Sequence, residues 1–214
     1  MKKKITYKNF RLIEHPLLKK DITILRDKNT TGEMFRAAVT RISNILAVEI
    51  SKNFLLSGIK VETPLEHTKG FCLKQDVILI PVLRAGLGMM EGFLQIIPDA
   101  KVGHIGLERD EKTLRPNEYY FKTPKNLNKS EVVLLDPMLA TGGSASAAIT
   151  YLKKRSAKDF VFACLVAAPE GVKKILNDHP DVKVFGAALD RQLNHKGYIL
   201  PGLGDAGDRT FGTL

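Results

Sequence analysis

From residue 77 onward, short unbroken apolar runs alternate with stretches of helical periodicity. The runs are Val77-Ile78-Leu79-Ile80, residues 101–107, Val132-Val133-Leu134-Leu135, residues 160–167 and residues 182–188. Between them lie helical segments at 86–97, 143–155 and 170–177. Apolar strands that do not alternate with polar residues are buried on both faces. Strands separated by helices of about a dozen residues predict βαβ units, hence an α/β fold with a mostly parallel central sheet flanked by helices on both faces. Earlier in the chain, Met34, Phe35, Ala38, Ile42, Ile45 and Leu46 recur at helical spacing. Thr30-Thr31-Gly32-Glu33 offers capping hydroxyls and a first-turn carboxylate, so a helix is predicted to begin near Thr31. The first sixty residues read as a helical elaboration of the core. No repeat, low-complexity tract or Ser/Gly linker interrupts the pattern, which predicts a single domain over residues 1–214. Ligands of such sheets sit beyond the carboxyl ends of the strands. The loops after Ile80, Leu135 and Ala188 are therefore where chemistry is expected.

Composition narrows the class. The chain has 214 residues, 44% apolar and 26% charged, which lies in the globular range and outside the disordered one. Cys72 and Cys164 have no metal-ligand partner at short spacing and read as small buried hydrophobes in a reducing compartment. The longest apolar run, 160–168, covers 9 residues, well short of the roughly 20 that span a bilayer. The N-terminal MKKKITYKNFRLIEHP is basic but lacks the apolar core of a signal peptide. An intracellular, cytoplasmic protein is expected. The net charge of +10 favours an anionic ligand, either nucleic acid or a multiply phosphorylated small molecule. The lysines scatter, however, and aromatics are only 7%, unlike the clustered charge and interleaved rings of most nucleic-acid binders.

The loop after Leu135 is the most informative segment: Asp136-Pro137-Met138-Leu139-Ala140-Thr141-Gly142-Gly143-Ser144. An apolar strand ends in a carboxylate, turns, and enters a helix through Ala-Thr-Gly-Gly-Ser. Glycines let backbone amides converge, hydroxyls add donors, and the helix N-terminus carries partial positive charge, so the loop suits a phosphate. Neither a Walker loop nor Gly-x-Gly-x-x-Gly is present there. An ordinary βα turn could carry the same small residues. Asp136 shifts the balance, because a strand-end carboxylate can hold two ribose hydroxyls or a magnesium-bound water.

Two further segments add cations. Arg84-Ala85-Gly86-Leu87-Gly88 follows a strand and opens a helix, which suits a second anionic group. Met89, Met90 and Phe93 behind it read as core. Residues 106–124 are polar and contain Arg109, Glu111 and Arg115. They read either as a solvent loop or as a lid that excludes water from the reaction. Near the C-terminus, Tyr198-Ile199-Leu200-Pro201-Gly202-Leu203-Gly204-Asp205-Ala206-Gly207-Asp208-Arg209 is dense in glycine. Backbone there can approach a flat ring and read its donor and acceptor edge.

Taken together, these segments resemble the type I phosphoribosyltransferases and, within them, the uracil phosphoribosyltransferases. The resemblance lies in Asp-Pro-Met-Leu-Ala-Thr-Gly-Gly-Ser and Pro-Gly-Leu-Gly-Asp-Ala-Gly-Asp and extends over about residues 14–214. Where the wider family commonly has two adjacent acids, this chain has Asp136-Pro137. The resemblance implies transfer of the phosphoribosyl group of 5-phospho-α-D-ribose 1-diphosphate (PRPP) to uracil, giving UMP and diphosphate in pyrimidine salvage. It implies that PRPP is bound by Arg84, Arg109, Asp136, Pro137, Met138, Leu139, Ala140, Thr141, Gly142, Gly143, Ser144 and Asp205. Uracil would lie against Ile199, Gly204, Asp205 and Ala206, with Arg84, Arg109 and Asp205 as the catalytic set. Mg2+ would be held mainly through PRPP, with no dedicated protein metal site. A homo-oligomer and activation by GTP are further family traits. His15-Pro16-Leu17, Ala167-Ala168-Pro169-Glu170-Gly171 and His179-Pro180-Asp181-Val182 follow the family pattern and read as turns, caps and packing. His104, His179 and His195 read as structural. Two alternatives stay open: a phosphoribosyltransferase for another base, and an RNA-binding regulator built on the same fold.

Overall fold

The computed structural model describes residues 7–109 and 116–213, with Arg109, Pro116 and Asp159 described by their backbone alone. In chain order the elements are β1 (Phe10–Leu12), α1 (Pro16–Arg26), α2 (Gly32–Ser51), β2 (Leu56–Glu62), β3 (His67–Leu73), β4 (Asp76–Leu83) and α3 (Leu87–Ile96). There follow β5 (Lys101–Val102), β6 (His104–Arg109), β7 (Pro116–Lys122), β8 (Ser130–Leu135), β9 (Met138–Leu139), α4 (Gly143–Lys154) and β10 (Asp159–Ala167). The chain closes with α5 (Pro169–Asp178), β11 (Lys183–Leu189), β12 (Gln192–Leu193), β13 (Ile199–Leu200) and α6 (Ala206–Phe211).

The main sheet runs in the order β1-β11-β10-β8-β4-β6-β7, with β5 on β4 and β9 on β10. Its pairings are parallel except for β6 with β7. The central strands are apolar at successive positions because each face supplies a different core. Val77 and Leu79 of β4 pack with Val133, Leu135, Phe35, Ile42, Met89 and Phe93 on the side of α1, α2 and α3. Ile78 and Ile80 pack with Val132, Leu134, Phe162, Ile149, Leu152 and Ile175 on the side of α4 and α5. The expected α/β layering is thus realised strand by strand. Truncating any of the leucine, isoleucine, methionine or phenylalanine side chains among these to Ala should cost about 2–5 kcal/mol.

Local signals account for the helix starts. Thr31 caps α2 by accepting from the Met34 amide, and His15 Nδ1 caps α1 by accepting from the Leu17 amide. Three expectations are corrected. The first sixty residues are not purely helical: β1 is an edge strand on β11, and β2 opens an antiparallel hairpin with β3. A three-residue strand is too short to show a periodicity, and the hairpin mixes polar and apolar residues on both faces. Cys72 lies exposed on that hairpin, which forms a two-stranded sheet of its own, whereas Cys164 is buried as expected. The run 101–107 is two strands, split at Gly103, whose amide donates to Leu79 O at 2.9 Å. Among the described residues, no helix is long and apolar enough to cross a membrane.

Candidate active site

Strands β4 and β8 are parallel neighbours, with Pro81 opposite Leu135, so the loops leaving their carboxyl ends emerge side by side. A Cβ placed on Gly86 would run into Leu135 O, which shows how closely the first loop is laid against the end of the second strand. The C-terminal segment lies across both loops. Arg84 Nη2 meets Asp208 Oδ1 at 3.2 Å. A Cβ on Gly207 would lie 3.6 Å from Ala85 Cβ, and one on Gly197 would lie 3.5 Å from Thr141 Cγ2. Three segments, spread over residues 84 to 208, therefore border one region at the carboxyl edge of the sheet.

After β8 the chain does not leave the sheet at once. The Asp136 amide donates to Ala163 O, Pro137 O accepts from the Leu165 and Val166 amides, and Leu139 O accepts from the Ala168 amide. Held along β10 in this way, residues 136–139 turn at 140–142 into α4. Gly142 is the N-cap residue at φ +78°, a left-handed conformation that costs a residue with a side chain roughly 1–2 kcal/mol. A Cβ there would also lie 3.0 Å from Gly171 O. Gly142 has no side chain to cap the helix, and no acidic residue stands in its first turn. Of the first-turn amides, that of Gly143 donates to Thr141 Oγ1 at 3.4 Å. Lys153 and Lys154 occupy the last turn. The positive end of this helix is thus not neutralised from within its first turn, while its own cations sit at the negative end. Ser146 Oγ fastens the helix to α5, donating to Asp178 Oδ2 at 2.6 Å and lying 3.2 Å from His179 Nε2. The Ser146 hydroxyl, with Lys174, holds the Asp178 carboxyl below the usual carboxylate range. Burial lowers the His179 pKa, which fits a bridge between helices and not a catalyst.

The Asp136 carboxylate is half-buried at the strand end, with Oδ1 accepting from the Met138 amide at 3.2 Å. Loss of solvent pushes its pKa up to about 6 against the pull of that amide. Burial first, and then the Asp136 charge, raises the Cys164 thiol behind it. A strand-end acid perturbed in this way is the kind of group around which functional sites are built. Arg84 is 58% exposed, so its pair with Asp208 is weakly held and readily exchanged for another anion. Asp205 stands at the N-cap of α6, its Oδ1 accepting from the Asp208 amide at 2.9 Å. Ile199 and Ala206 turn their side chains into the core, which leaves their backbone as the face available to a ligand. Gly204 is exposed at φ +83°. Arg109 ends β6, its side chain outside the described residues, and Glu111 and Arg115 lie outside them as well.

Sequence reasoning did not single out Arg26, Asp190 or the role of Arg209. Asp190 opens the loop after β11, where the strand-end rule places chemistry, yet its partner Arg26 carries no local signal. Both residues hold the C-terminal segment. Among the described residues no group of three or more His, Cys, Asp or Glu is arranged to hold a metal. A single strand-end carboxylate suits a cation held mainly by substrate phosphates, as is usual for Mg2+.

Comparison with known proteins supplies a family. The model of the uracil phosphoribosyltransferase family matches residues 12–213. The uracil phosphoribosyltransferase of Salinibacter ruber is 51% identical over 205 residues, covering 96% of this chain and 98% of its own. That of Bacillus cytotoxicus is 53% identical over 203 residues, covering 94% and 97%. The structure of the AQ2163 protein from Aquifex aeolicus superposes with a TM-score of 0.89 at 38% identity, covering 94% of this chain and 97% of that one. A purine phosphoribosyltransferase from Pyrococcus horikoshii, 21% identical with a TM-score of 0.50 over 71% of this chain and 81% of its own, shares the fold.

Proposed function

Because the chain belongs to the uracil phosphoribosyltransferase family, we propose how its residues divide the work of joining uracil to PRPP. The enzyme is a pentosyltransferase that yields UMP and diphosphate. The bond from ribose C1 to the diphosphate oxygen breaks, and a bond from C1 to a uracil ring nitrogen forms. Residues 140–144, at the unneutralised N-terminus of α4, take the 5′-phosphate. Asp136 holds the ribose hydroxyls, with Pro137, Met138 and Leu139 fixing its direction through their pairing with β10. Arg84 exchanges Asp208 for the diphosphate, and Arg109 approaches the same group from the end of β6. Backbone at Ile199, Gly204 and Ala206 reads the edge of the uracil ring. Asp205, which joins the base side to the PRPP side, orients the ring nitrogen and takes up its proton. Asp136 would offer a carboxylate to Mg2+ brought in with PRPP, and the ion would supply neutralisation of charge on the leaving diphosphate. Catalysis then rests on positioning and charge stabilisation, with no covalent enzyme intermediate.

The observation that carries this reading is the meeting of the Arg84 loop with the C-terminal segment at the Arg84–Asp208 contact, next to the phosphate loop. Residues 1–214 acting as one catalytic domain, assembly into a homo-oligomer, activation by GTP and a cytoplasmic site of action belong to the same proposal and rest on the family resemblance. The test is an assay of the purified protein with PRPP, Mg2+ and each of uracil, orotate, hypoxanthine and guanine. Nucleotide from uracil alone is the expected result. Nucleotide from another base, or no nucleotide with steeply salt-dependent RNA binding, would overturn it.

A further inference from the structure

If the edge of uracil is read by backbone groups, as proposed above, the side chains of the reading segment, Asp205 apart, cannot set the selectivity. The residues that fix the backbone must do so. We infer that Arg26, Asp190 and Arg209 are positioning residues that hold the base-reading turn in register from outside the site. Asp190 is buried, its side chain 4% exposed, and Arg26 pairs with it bidentately at 2.5 and 2.9 Å. The same pair fastens both sides of one residue. Gly202 donates its amide to Asp190 Oδ2 at 2.8 Å and offers its carbonyl to Arg26 Nη1 at 2.8 Å. Gly202 has φ +64°, and a Cβ there would overlap Ile199 O, so its peptide planes are set by these two bonds and not by a side chain. Arg209 takes the next carbonyl, Leu203 O, at 2.7 Å. It also donates to Leu25 O and, at 2.6 Å, to Asp27 O, and its guanidinium lies 4.5 Å from the centre of the Phe35 ring.

Two consecutive carbonyls, Gly202 and Leu203, are thus hung from two arginines anchored at the C-terminal end of α1. Ile199 and Gly204, two of the three base-reading positions, flank that turn, and Ala206 follows it. Charge-assisted bidentate bonds are short and directional, and a displacement of about 1 Å at a binding edge can cost roughly a hundredfold. Loosening the frame should weaken the grip on uracil. The phosphate loop, held through β10 and α5, should be left alone.

The test measures both KM values, kcat and the thermal midpoint for Arg26→Lys and Asp190→Asn, beside Gly204→Ala as a control on the reading segment itself. Lysine keeps the charge of Arg26 but loses the planar fork. The expected result is a uracil KM raised at least tenfold in both frame variants, with PRPP KM within about twofold of the parent. A folded Arg26→Lys with unchanged uracil KM, or with both KM values raised alike, overturns the inference, as a structural role alone would move them together. Should Asp190→Asn fail to fold, Arg26→Lys decides. A Gly204→Ala variant with normal uracil KM instead refutes the backbone reading on which the inference stands. The two failures are therefore distinguishable.

Discussion

Replacing Asp136 by asparagine should stabilise the free enzyme at neutral pH while disabling it. In the folded chain the Asp136 carboxyl titrates at about 6 instead of 3.8, because burial penalises its charge. At about 1.4 kcal/mol per pH unit, that displacement corresponds to about 3 kcal/mol. The sign follows from linkage. Below about pH 4 the carboxyl is protonated in both folded and unfolded chains and costs nothing. Between pH 4 and 6 the unfolded chain ionises first, so folding stability falls as pH rises. Above pH 6 both states are ionised and the whole penalty is present. The amide introduced by Asp136→Asn would carry no charge, and its oxygen can still accept from the Met138 amide. Thermal unfolding of the ligand-free proteins from pH 4 to 7.5 should give similar midpoints at the acid end. By pH 7 the variant should lead by roughly 6–12 °C, at 2–4 °C per kcal/mol for a chain of this size. Its kcat/KM for PRPP should drop by roughly 10- to 150-fold, the worth of about 1.5–3 kcal/mol of hydrogen bonding to a charged group. Stability curves that run parallel across the range, or a variant less stable at pH 7, would refute the assignment of a desolvated strand-end acid.

Two other substitutions separate binding from folding. Arg84→Ala should lower kcat/KM by about 100- to 1,000-fold, as expected for a lost donor to developing charge. Its thermal midpoint should barely move, since the exposed Asp208 pair contributes little; near-normal kcat/KM would remove Arg84 from the reaction. Gly142→Ala should cost about 1–2 kcal/mol of stability from its left-handed backbone. It should also raise KM for PRPP more than KM for uracil, and equal effects on the two substrates would argue against a phosphate grip at 140–144.

What could be read from sequence alone was whatever is local. The unbroken apolar runs such as Val132-Val133-Leu134-Leu135 identified strands covered on both faces, and the two core clusters bear this out. The Thr31 cap and the Gly142-Gly143 helix entry were equally visible, because capping and left-handed backbone depend on residues within a turn of one another. The acid at 136 and the glycine-dense C-terminus stood out for the same reason. The order of the sheet, and with it the adjacency of the β4 and β8 loops, was decided by tertiary structure. So were the exposure of Cys72, the half-burial that raises Asp136, and the Arg26–Asp190 pair, which joins residues 164 positions apart. Hydrogen bonds across such distances leave no periodic trace in a sequence. They form only once packing has brought two strand ends and a helix terminus within about 3 Å of each other.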